Sequence, residues 1–481
     1  MMQANNTAAA INLLTVKKGI WRNSSVLLIR LGGSLAINAV SGILLARWLG
    51  PAHWGIYAIS LFLIVSYQTI LEKGLVAYLI QKHSELTEQD KSVACTIQII
   101  LGIVCLGASI LVFAPISVWW CGLNELGMLI TSAGIAGFAY SLRSVSLTLL
   151  ERQQKYFKVS VVELADIIIF NIIALVGVAL GFGLASLVAG NLMRGWFSAG
   201  LAIIFTGLPR LEWNPRTARQ ILRLGLPIFV SNLIKLLTSA ADPILLGKLA
   251  GPQAFAYMQV SLTLLSYPAS VAGILSRVSF SALARIQDYD EELNRLSVSS
   301  VNTLAKLIVP LITGLAGSAS LWVPWIYGTD WLPMAWVLLF AAIPSAIGQV
   351  LLSLSAPLYA KGRTKGLLFF FVLYGLIYWL ASWLFIPHWL ELGPPLAMWV
   401  TLPLWAIIVL DFDRHCGNWD LRTFVGVLSS STLIMLATFL SIQIQHWLIT
   451  GTLMLGLLLW WMFTLRKFFS AGLRLIYEMF Q

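Results

Sequence analysis

Two stretches of this 481-residue sequence place polar side chains at intervals of three or four residues within otherwise apolar segments. The first contains Arg30, Ser34 and Asn38, and a later one contains Lys235, Ser239 and Asp242. Residues three or four positions apart lie on the same face of a helix, so each set forms a polar stripe. Cations of this kind bind phosphate, and hydroxyl and amide groups form hydrogen bonds with sugars. The two stripes are therefore candidate binding surfaces for a ligand that carries both groups.

A second group of ionisable residues lies in other apolar segments. Arg194 follows Asn191 by about one helical turn, and Glu163 precedes Asp166 by the same interval. A charged group at the centre of a bilayer costs at least ~2.5–3.5 kcal/mol, so it needs a partner, water or a ligand. We expect Asn191 and Arg194 to line a substrate cavity. For Glu163 and Asp166 we favour ion pairs with Arg143 or Arg194 over a role in proton coupling.

Two alternatives stay open at this point. Asp242 is compatible with an ion pair to Lys235 two turns earlier, and equally with a role as a proton carrier. The Ser and Asn residues of the stripes are also typical of contacts between membrane helices, which use small polar side chains.

The elements that position these residues are membrane-spanning helices. The chain is 59% hydrophobic and 11% charged, whereas soluble domains contain about 25% charged residues. A helix needs about 20 mostly apolar residues to span a bilayer, and such segments recur along the chain. The pattern predicts fourteen spans, at about 24–47, 54–80, 92–120, 124–150, 159–181, 184–207, 223–249, 254–281, 301–327, 333–360, 365–387, 392–411, 421–443 and 446–465.

The distribution of basic residues predicts the orientation of these spans. With a cytoplasmic N-terminus, 22 of the 31 Lys and Arg residues fall on one side of the membrane, and only Arg47 and Lys248 fall on the other. Cytoplasmic loops of membrane proteins are enriched in Lys and Arg. We therefore expect a multi-pass protein of the bacterial cytoplasmic (inner) membrane with both termini in the cytoplasm. The same clustering argues against nucleic-acid binding.

An internal repeat divides the chain into two halves. The segments ARWLGPAHWGIYA and GKLAGPQAFAY each contain a Gly-Pro pair followed shortly by Tyr. Six predicted helices separate them, so both halves enter the membrane in the same direction, which implies a pseudo-twofold axis along the membrane normal. The predicted fold is an all-α membrane protein with two six-helix bundles around a central cavity and two extra C-terminal helices. Its parts are an N-terminal segment 1–23, bundles 24–207 and 223–411, a linker 208–222, extra helices 421–465 and a tail 466–481.

The sequence shows no pattern typical of an enzyme. The predicted loops are too short to carry catalytic domains, and the phosphate-binding pattern GxxxxGK[ST] does not occur. The four Cys and five His residues have no spacing typical of a metal site. We predict a transporter without catalytic residues, metal or cofactor, and leave coupling to a proton or sodium gradient open.

The segments RLGGSLAINAVSGILLARWLGPAHWGIYA and EKGLVAYLIQK resemble the opening of polysaccharide-export flippases of the Wzx type. These belong to the multidrug/oligosaccharidyl-lipid/polysaccharide flippase superfamily. The later segments DPILLGKLAGP and YAKGRTK are similar to the family as well, and the resemblance covers about residues 20–465. It implies a protein that moves undecaprenyl-diphosphate-linked oligosaccharide from the cytoplasmic to the periplasmic leaflet, and we expect this protein to be a monomer. The expected partners are this lipid, membrane lipids and the polysaccharide polymerase machinery.

Three other functions remain as alternatives. A flippase for the peptidoglycan lipid precursor has the same architecture and charge requirements. A cation-coupled multidrug exporter of the same superfamily is expected to have twelve helices and an acidic cavity, which the basic stripes disfavour. A membrane enzyme of glycan assembly is disfavoured by the absence of catalytic loops. The lipid intermediate that accumulates when the protein is depleted distinguishes among these functions.

Overall fold

The computed structural model of the chain describes residues 2–73, 75–82, 85–207, 209–283, 290–361, 364–417, 419, 421–443 and 456. Over these ranges the chain is helical and contains no β-strand. The helices are α1 (Met2–Lys73), α2 (Ala77–Gln81), α3 (Glu88–Ala108), α4 (Ala114–Cys121), α5 (Asn124–Arg152), α6 (Tyr156–Ala179), α7 (Leu184–Thr206), α8 (Pro215–Ser239), α9 (Gly247–Leu249), α10 (Gly251–Leu283), α11 (Asp290–Gly317), α12 (Ala319–Ile326), α13 (Met334–Leu352), α14 (Ser355–Ala360), α15 (Thr364–Trp389), α16 (Gly393–Thr401), α17 (Trp405–His415) and α18 (Leu421–Gln443).

Nine helical stretches within the described ranges are long and apolar enough to cross a membrane. The two longest, Arg30–Glu72 and Gly366–His415, contain 43 and 50 residues. Because one crossing needs about 20 residues, each has the length of two of the predicted spans. The prediction of an all-helical membrane protein is confirmed, whereas the count of fourteen spans and their division into two groups of six remain predictions. The predicted span 446–465, apart from Gly456, and the tail 466–481 lie outside the described residues.

Both Gly-Pro pairs of the sequence repeat interrupt the helical backbone. Gly50 has a φ of 72° and Gly251 a φ of 88°, in the region that favours glycine. The proline that follows each glycine starts the next helical segment, because its fixed φ suits a helix start and its missing N–H has no partner to lose there. Gly50 therefore kinks α1, and Gly251 is the first residue of α10, directly after the break that follows α9. Helix α1 begins at Met2, earlier than the span predicted from residue 24, since no proline interrupts it before Pro51.

The chain divides into two compact units, Met1–Leu236 and Leu237–Gln481. In the first unit, α5 packs against α1, α3 and α7, and α6 packs against α1 and α7. Its core contains a buried apolar cluster between α1 and α5 that includes Ile64, Leu71, Ala133 and Ala136. These helices bring the polar residues of four spans together in the interior of one unit.

In the second unit, α11 packs against α13 and α18, and α15 packs against α16. The buried residues Ala241, Tyr378, Ala381 and Ala397 form an apolar cluster at the end of α8, on α15 and on α16. This cluster surrounds the turn that carries Asp242. The predicted bundle boundaries and repeat axis stay predictions.

Candidate functional site

Two polar contacts join α1 to α6 in the first unit. Arg30 forms an ion pair with Glu163. About two turns further along both helices, the Asn171 amide donates a hydrogen bond of 3.4 Å to the Asn38 side-chain oxygen. Because the two contacts advance by the same interval on each helix, α1 and α6 run parallel here with their polar residues in register.

The partner of Glu163 differs from the sequence-based prediction of Arg143 or Arg194. Glu163 faces α1, whereas Asp166, almost one helical turn later, faces α5 and α7. Three residues turn the helix by about 300°, so the two carboxylates point about 60° apart around α6 and reach different neighbouring helices. The sequence gives the interval between these residues but not which neighbouring helix each one faces.

The Arg30–Glu163 pair is only partly covered by the protein. The side chains of Arg30 and Glu163 are 22% and 29% exposed. One turn further along, the Ser34 hydroxyl donates a hydrogen bond of 2.8 Å to the backbone carbonyl of Arg30, and Asn38 is exposed. This face of α1 is therefore the part of the predicted stripe that is accessible from outside the protein.

A second, sealed cluster has Arg143 of α5 at its centre. The Arg143 Nε donates a hydrogen bond of 2.8 Å to Glu72 of α1, and its Nη2 contacts the same carboxylate. Its Nη1 lies 3.2 Å from Asp166 and donates a hydrogen bond of 2.9 Å to the Ser198 hydroxyl. The Arg143 side chain is 3% exposed, and those of Glu72 and Asp166 are 14% and 8% exposed. One arginine thus joins α1, α5, α6 and α7.

Tyr140 and Ser198 complete the bonding of the Asp166 carboxylate. The Tyr140 and Ser198 hydroxyls each donate a hydrogen bond of 3.1 Å to Asp166. The Arg143 guanidinium also lies 4.5 Å from the centre of the Tyr140 ring, within the range of a cation–π contact. With both carboxylates hydrogen-bonded or paired, the cluster has the character of a structural ion-pair network.

Arg194 and Asn191 lie on α7 in a different environment. The Arg194 guanidinium lies 4.9 Å from the centre of the Phe170 ring, and its Nε has no hydrogen-bond partner within the described residues. Asn191 is fully buried, and neither atom of its amide has a partner in the described part of the chain. Arg194 is 8% exposed. The structure therefore buries this predicted pair, in contrast to the partly exposed Arg30.

In the second unit, Asp242 begins a π-helical turn, Asp242–Leu246, that follows α8. The Tyr378 hydroxyl of α15 donates a hydrogen bond of 2.6 Å to the Asp242 carboxylate, and the Tyr378 ring stacks on Tyr374. The Lys235 side chain lies outside the described residues, so both alternatives for Asp242 remain predictions. Ser239, in the last turn of α8, is exposed.

Sequence reasoning missed Glu72, Tyr140 and Ser198 as members of the sealed cluster. A usable signal was present: Arg143 lies within an apolar span, and a charge in such a place requires a partner. Glu72 is the acidic residue of the EKGL segment at the end of α1. Which carboxylate reaches Arg143 depends on the packing of α1 against α5, which no local pattern records.

Within the described ranges, no three His, Cys, Asp or Glu residues lie close enough to bind a metal ion.

Residues 44–336 match the model of a family described as "Polysaccharide biosynthesis protein". The match covers more than half of the chain. The chain belongs to this family. Its resemblance to polysaccharide-export flippases of the Wzx type is thereby confirmed.

One curated relative is the teichuronic acid biosynthesis protein TuaB of Bacillus subtilis (strain 168), which is 22% identical over 304 residues. The matched region spans 62% of this chain and 62% of that relative. A solved structure of the lipid II flippase MurJ in an inward closed conformation has the same fold. It has a TM-score of 0.74 and 15% identity, covering 89% of this chain and 97% of that one.

The fold is also similar to an inward-facing multidrug resistance MATE family transporter of the MOP superfamily. That structure has a TM-score of 0.62 and 12% identity, covering 85% of this chain and 98% of that one. Both solved structures are of transport proteins, and the chain shares their fold. Its location in a membrane follows from the apolar helices together with this fold.

Proposed function

We propose that this protein is a flippase that carries undecaprenyl-diphosphate-linked oligosaccharide from the cytoplasmic to the periplasmic leaflet. The product is an intermediate for a surface polysaccharide such as O-antigen, exopolysaccharide or capsule. The observation that carries the proposal is an accessible cation, Arg30, on a membrane-spanning helix of a polysaccharide biosynthesis family member.

The proposed cycle begins with capture of the diphosphate by Arg30. A planar guanidinium binds phosphate oxygens in a bidentate manner, which fixes the headgroup as well as attracting it. The exposed Asn38 and the neighbouring Ser34 offer amide and hydroxyl groups to the adjoining sugars. The polyprenyl chain stays in lipid while the two bundles rock and open the cavity on the other side.

Lys235 and Ser239 are proposed to complete the cavity from the second half of the chain, since they form the stripe equivalent to that of Arg30. Arg194 and Asn191 are proposed to join the binding surface only in a conformation that opens α7. The membrane potential assists export, because moving one negative charge outward gains about 2.3 kcal/mol per 100 mV when the inside is negative.

The test is transport by the purified protein in vesicles. We expect the wild type to move a fluorescent undecaprenyl-diphosphate oligosaccharide between leaflets, and we expect Arg30→Ala and Lys235→Ala to lose most of this activity at normal protein levels. The control is Lys91→Ala, which removes a basic residue paired with Glu88 at the exposed start of α3. Full transport and normal surface polysaccharide in both cavity variants contradict capture by these cations.

A flippase for the peptidoglycan lipid precursor is the second candidate, favoured by the similarity in fold to a lipid II flippase. Both substrates carry a polyprenyl diphosphate, so Arg30 has the same role in either case. Depletion separates the two functions: accumulation of a repeat-unit oligosaccharide lipid supports the first, and accumulation of the peptidoglycan precursor supports the second.

We further propose that the protein works as a monomer in the bacterial inner membrane with both termini in the cytoplasm. We propose separately that transport is coupled to a proton or sodium gradient, and that the Asp242 carboxylate takes part in this coupling. Its test is the dependence of the vesicle transport rate on an imposed pH or sodium gradient.

A further inference from the structure

Helix α10 of the second unit has an uncharged polar face. It corresponds to the predicted span 254–281 and packs against α11 and α13, which belong to stretches of membrane-spanning length. Ser266 on this face is exposed, whereas residues on the other sides of the helix, such as Tyr257 and Leu265, are buried. The members of the face follow one another at intervals of three or four residues, so they lie on one side of the helix. They are Gln259, Thr263, Ser266 and Ser270.

An exposed serine of α18 shows what a face beside apolar residues looks like. Ser429 lies among Val425, Leu433 and Leu436, which are 54%, 68% and 42% exposed. Such a surface suits lipid, because hydrocarbon offers no partner to polar groups. One turn after Ser266, in contrast, the chain has Ser270 rather than a large apolar residue. The α10 face therefore has the composition expected beside water.

The polar groups of the α10 face are bonded within their own helix. The Thr263, Ser266 and Ser270 hydroxyls donate hydrogen bonds of 2.8, 2.7 and 3.1 Å to backbone carbonyls three or four residues earlier. The Gln259 Nε2 donates a hydrogen bond of 3.1 Å to the Thr263 hydroxyl. In the described part of the chain, none of these groups bonds to another helix. They therefore do not act as the polar contacts that join membrane helices.

This bonding determines which ligand the face suits. The hydroxyl protons are used within the helix, so the hydroxyl oxygens remain as acceptors. The Gln259 Oε1 is a further acceptor, and it has no partner among the described residues. A face with acceptors and no charge suits a ligand with many O–H donors. Sugars have such donors, whereas an ionised diphosphate offers only acceptors.

A proline interrupts the backbone of α10 at the level of this face. Pro268 has no N–H for the Leu264 carbonyl, one turn earlier. From α13, the Gln349 Nε2 donates a hydrogen bond of 3.0 Å to the next carbonyl, that of Leu265. Segments interrupted by proline are pointers to substrate sites in transporters, because irregular backbone within a membrane is tolerated where it lines a cavity. The interruption is independent of the side-chain pattern and supports the same location.

We propose that the α10 face binds the sugars of the lipid-linked oligosaccharide. The proposal rests on the flippase function proposed above and assigns a part of its substrate to this face. Arg30 of the first unit is the proposed partner of the diphosphate, whereas α10 carries no Lys, Arg, Asp or Glu over residues 251–270. The charged and the uncharged parts of the substrate are thus recognised by different chemistry.

The first experiment compares the binding of two lipids to the full-length protein in nanodiscs. The probes are undecaprenyl diphosphate and the oligosaccharide lipid purified from cells depleted of the protein. We expect Ser266→Leu to lower the affinity for the oligosaccharide lipid about tenfold, because leucine covers the neighbouring acceptors, and to leave the affinity for undecaprenyl diphosphate unchanged. Gln259→Leu should lower the first affinity about fivefold, the size of one net hydrogen bond.

Ser429→Leu is the matched control. Ser429 is also exposed, and its hydroxyl donates a hydrogen bond of 3.2 Å to the backbone carbonyl of Gly426, three residues earlier. The same substitution here adds one more leucine to an apolar surface, so both affinities should stay unchanged. Circular dichroism and elution as a single species establish that each variant is folded.

The second experiment uses small substitutions and measures access to water. Ser266→Cys should react with a charged thiol reagent that does not cross membranes, and the oligosaccharide lipid should slow this reaction at least fivefold. Undecaprenyl diphosphate should slow it much less. Ser429→Cys should stay unlabelled, and the wild type gives the background from its four cysteines.

The outcomes separate this inference from the function on which it rests. Full affinity of Ser266→Leu and Gln259→Leu for the oligosaccharide lipid, with normal transport by the wild type, overturns the sugar site and leaves the proposed function intact. An equal loss of affinity for both lipids also overturns it, because the face would then act on the diphosphate. Lack of labelling of Ser266→Cys contradicts a face in water. A wild type that binds neither lipid and transports neither overturns both proposals.

Discussion

Arg143 and Asp166 lie 3.2 Å apart in the interior of the first unit, and the same arginine also binds Glu72. This arginine is therefore surrounded by an excess of carboxylates, whereas Arg194 forms no ion pair within the described residues. The two arginines lie on neighbouring helices, α5 and α7. Two ion pairs offset the burial of Arg143, whereas no ion pair in the described part of the chain offsets the burial of Arg194. That difference leads to the first two predictions.

Arg143→Met is expected to destabilise the protein by about 3–5 kcal/mol, because it leaves two carboxylates unpaired in a membrane interior. The measurement is thermal unfolding in detergent, followed by the loss of a single elution peak. The triple variant Glu72→Gln, Arg143→Met, Asp166→Asn should recover much of the loss, since it removes all three charges together. Thermal stability of Arg143→Met equal to that of the wild type would show that the cluster is not structural.

Arg194→Met is expected to be much milder, with a change within about 1 kcal/mol, because a flexible apolar side chain fills a similar volume and no carboxylate loses its partner. The same unfolding measurement checks this. A loss of transport at wild-type stability would support the proposed contact between Arg194 and substrate, and unaltered transport would exclude it. Destabilisation as large as that of Arg143→Met would reveal a structural partner for Arg194.

Gly50→Ala should destabilise α1 at its kink by about 1–2 kcal/mol, because an alanine at a φ of 72° adopts the left-handed conformation that side chains disfavour. Gly251→Ala should behave alike in the second unit, where φ is 88°. Gly42→Ala is the matched control, since it lies in a helical part of α1 with open space around the added methyl group. Equal melting temperatures for all three variants would contradict a conformational requirement at the two Gly-Pro pairs.

Asp242→Asn tests whether the carboxylate bound by Tyr378 carries the coupling charge. We expect the asparagine variant to bind undecaprenyl diphosphate normally and to lose the response of transport to an imposed proton or sodium gradient. Tyr378→Phe removes the hydrogen bond of 2.6 Å and keeps the ring stacked on Tyr374, so it should weaken that response without abolishing it. A gradient response that persists unchanged in Asp242→Asn removes this residue from the coupling mechanism.

The sequence predicted several features for reasons that are local. Apolar segments near 20 residues and few charges indicate membrane helices in any fold, because the bilayer imposes that length and composition. The Gly-Pro pairs at Gly50 and Gly251 indicated the repeat, and their backbone conformations depend only on the residues themselves and their immediate neighbours. The resemblance to polysaccharide flippases follows from the order of such segments.

Other predictions depended on which helices become neighbours. For these, the sequence was compatible with more than one partner for each charged residue. The intervals between Arg30, Ser34 and Asn38 predicted a stripe, but nothing in α1 identifies Glu163 as the residue opposite Arg30. The Arg143–Asp166 pair confirms the prediction for Asp166, whereas the expected partner of Glu163 was wrong for this reason. The burial of Arg194 could not be predicted either, because a cation in an apolar span has the same local sequence whether it faces a cavity or a phenylalanine.

Hydropathy, charge and the order of motifs are properties of the chain alone, so they were sufficient to predict a helical membrane protein related to polysaccharide flippases. How the charges are shared depends on the packing of the helices: Arg143 pairs with Glu72 and Asp166 in a sealed cluster, and Arg30 pairs with Glu163 on an accessible face. Ion pairing depends on distances of a few ångströms between residues far apart in the chain, and only the packing of α1, α5, α6 and α7 sets those distances.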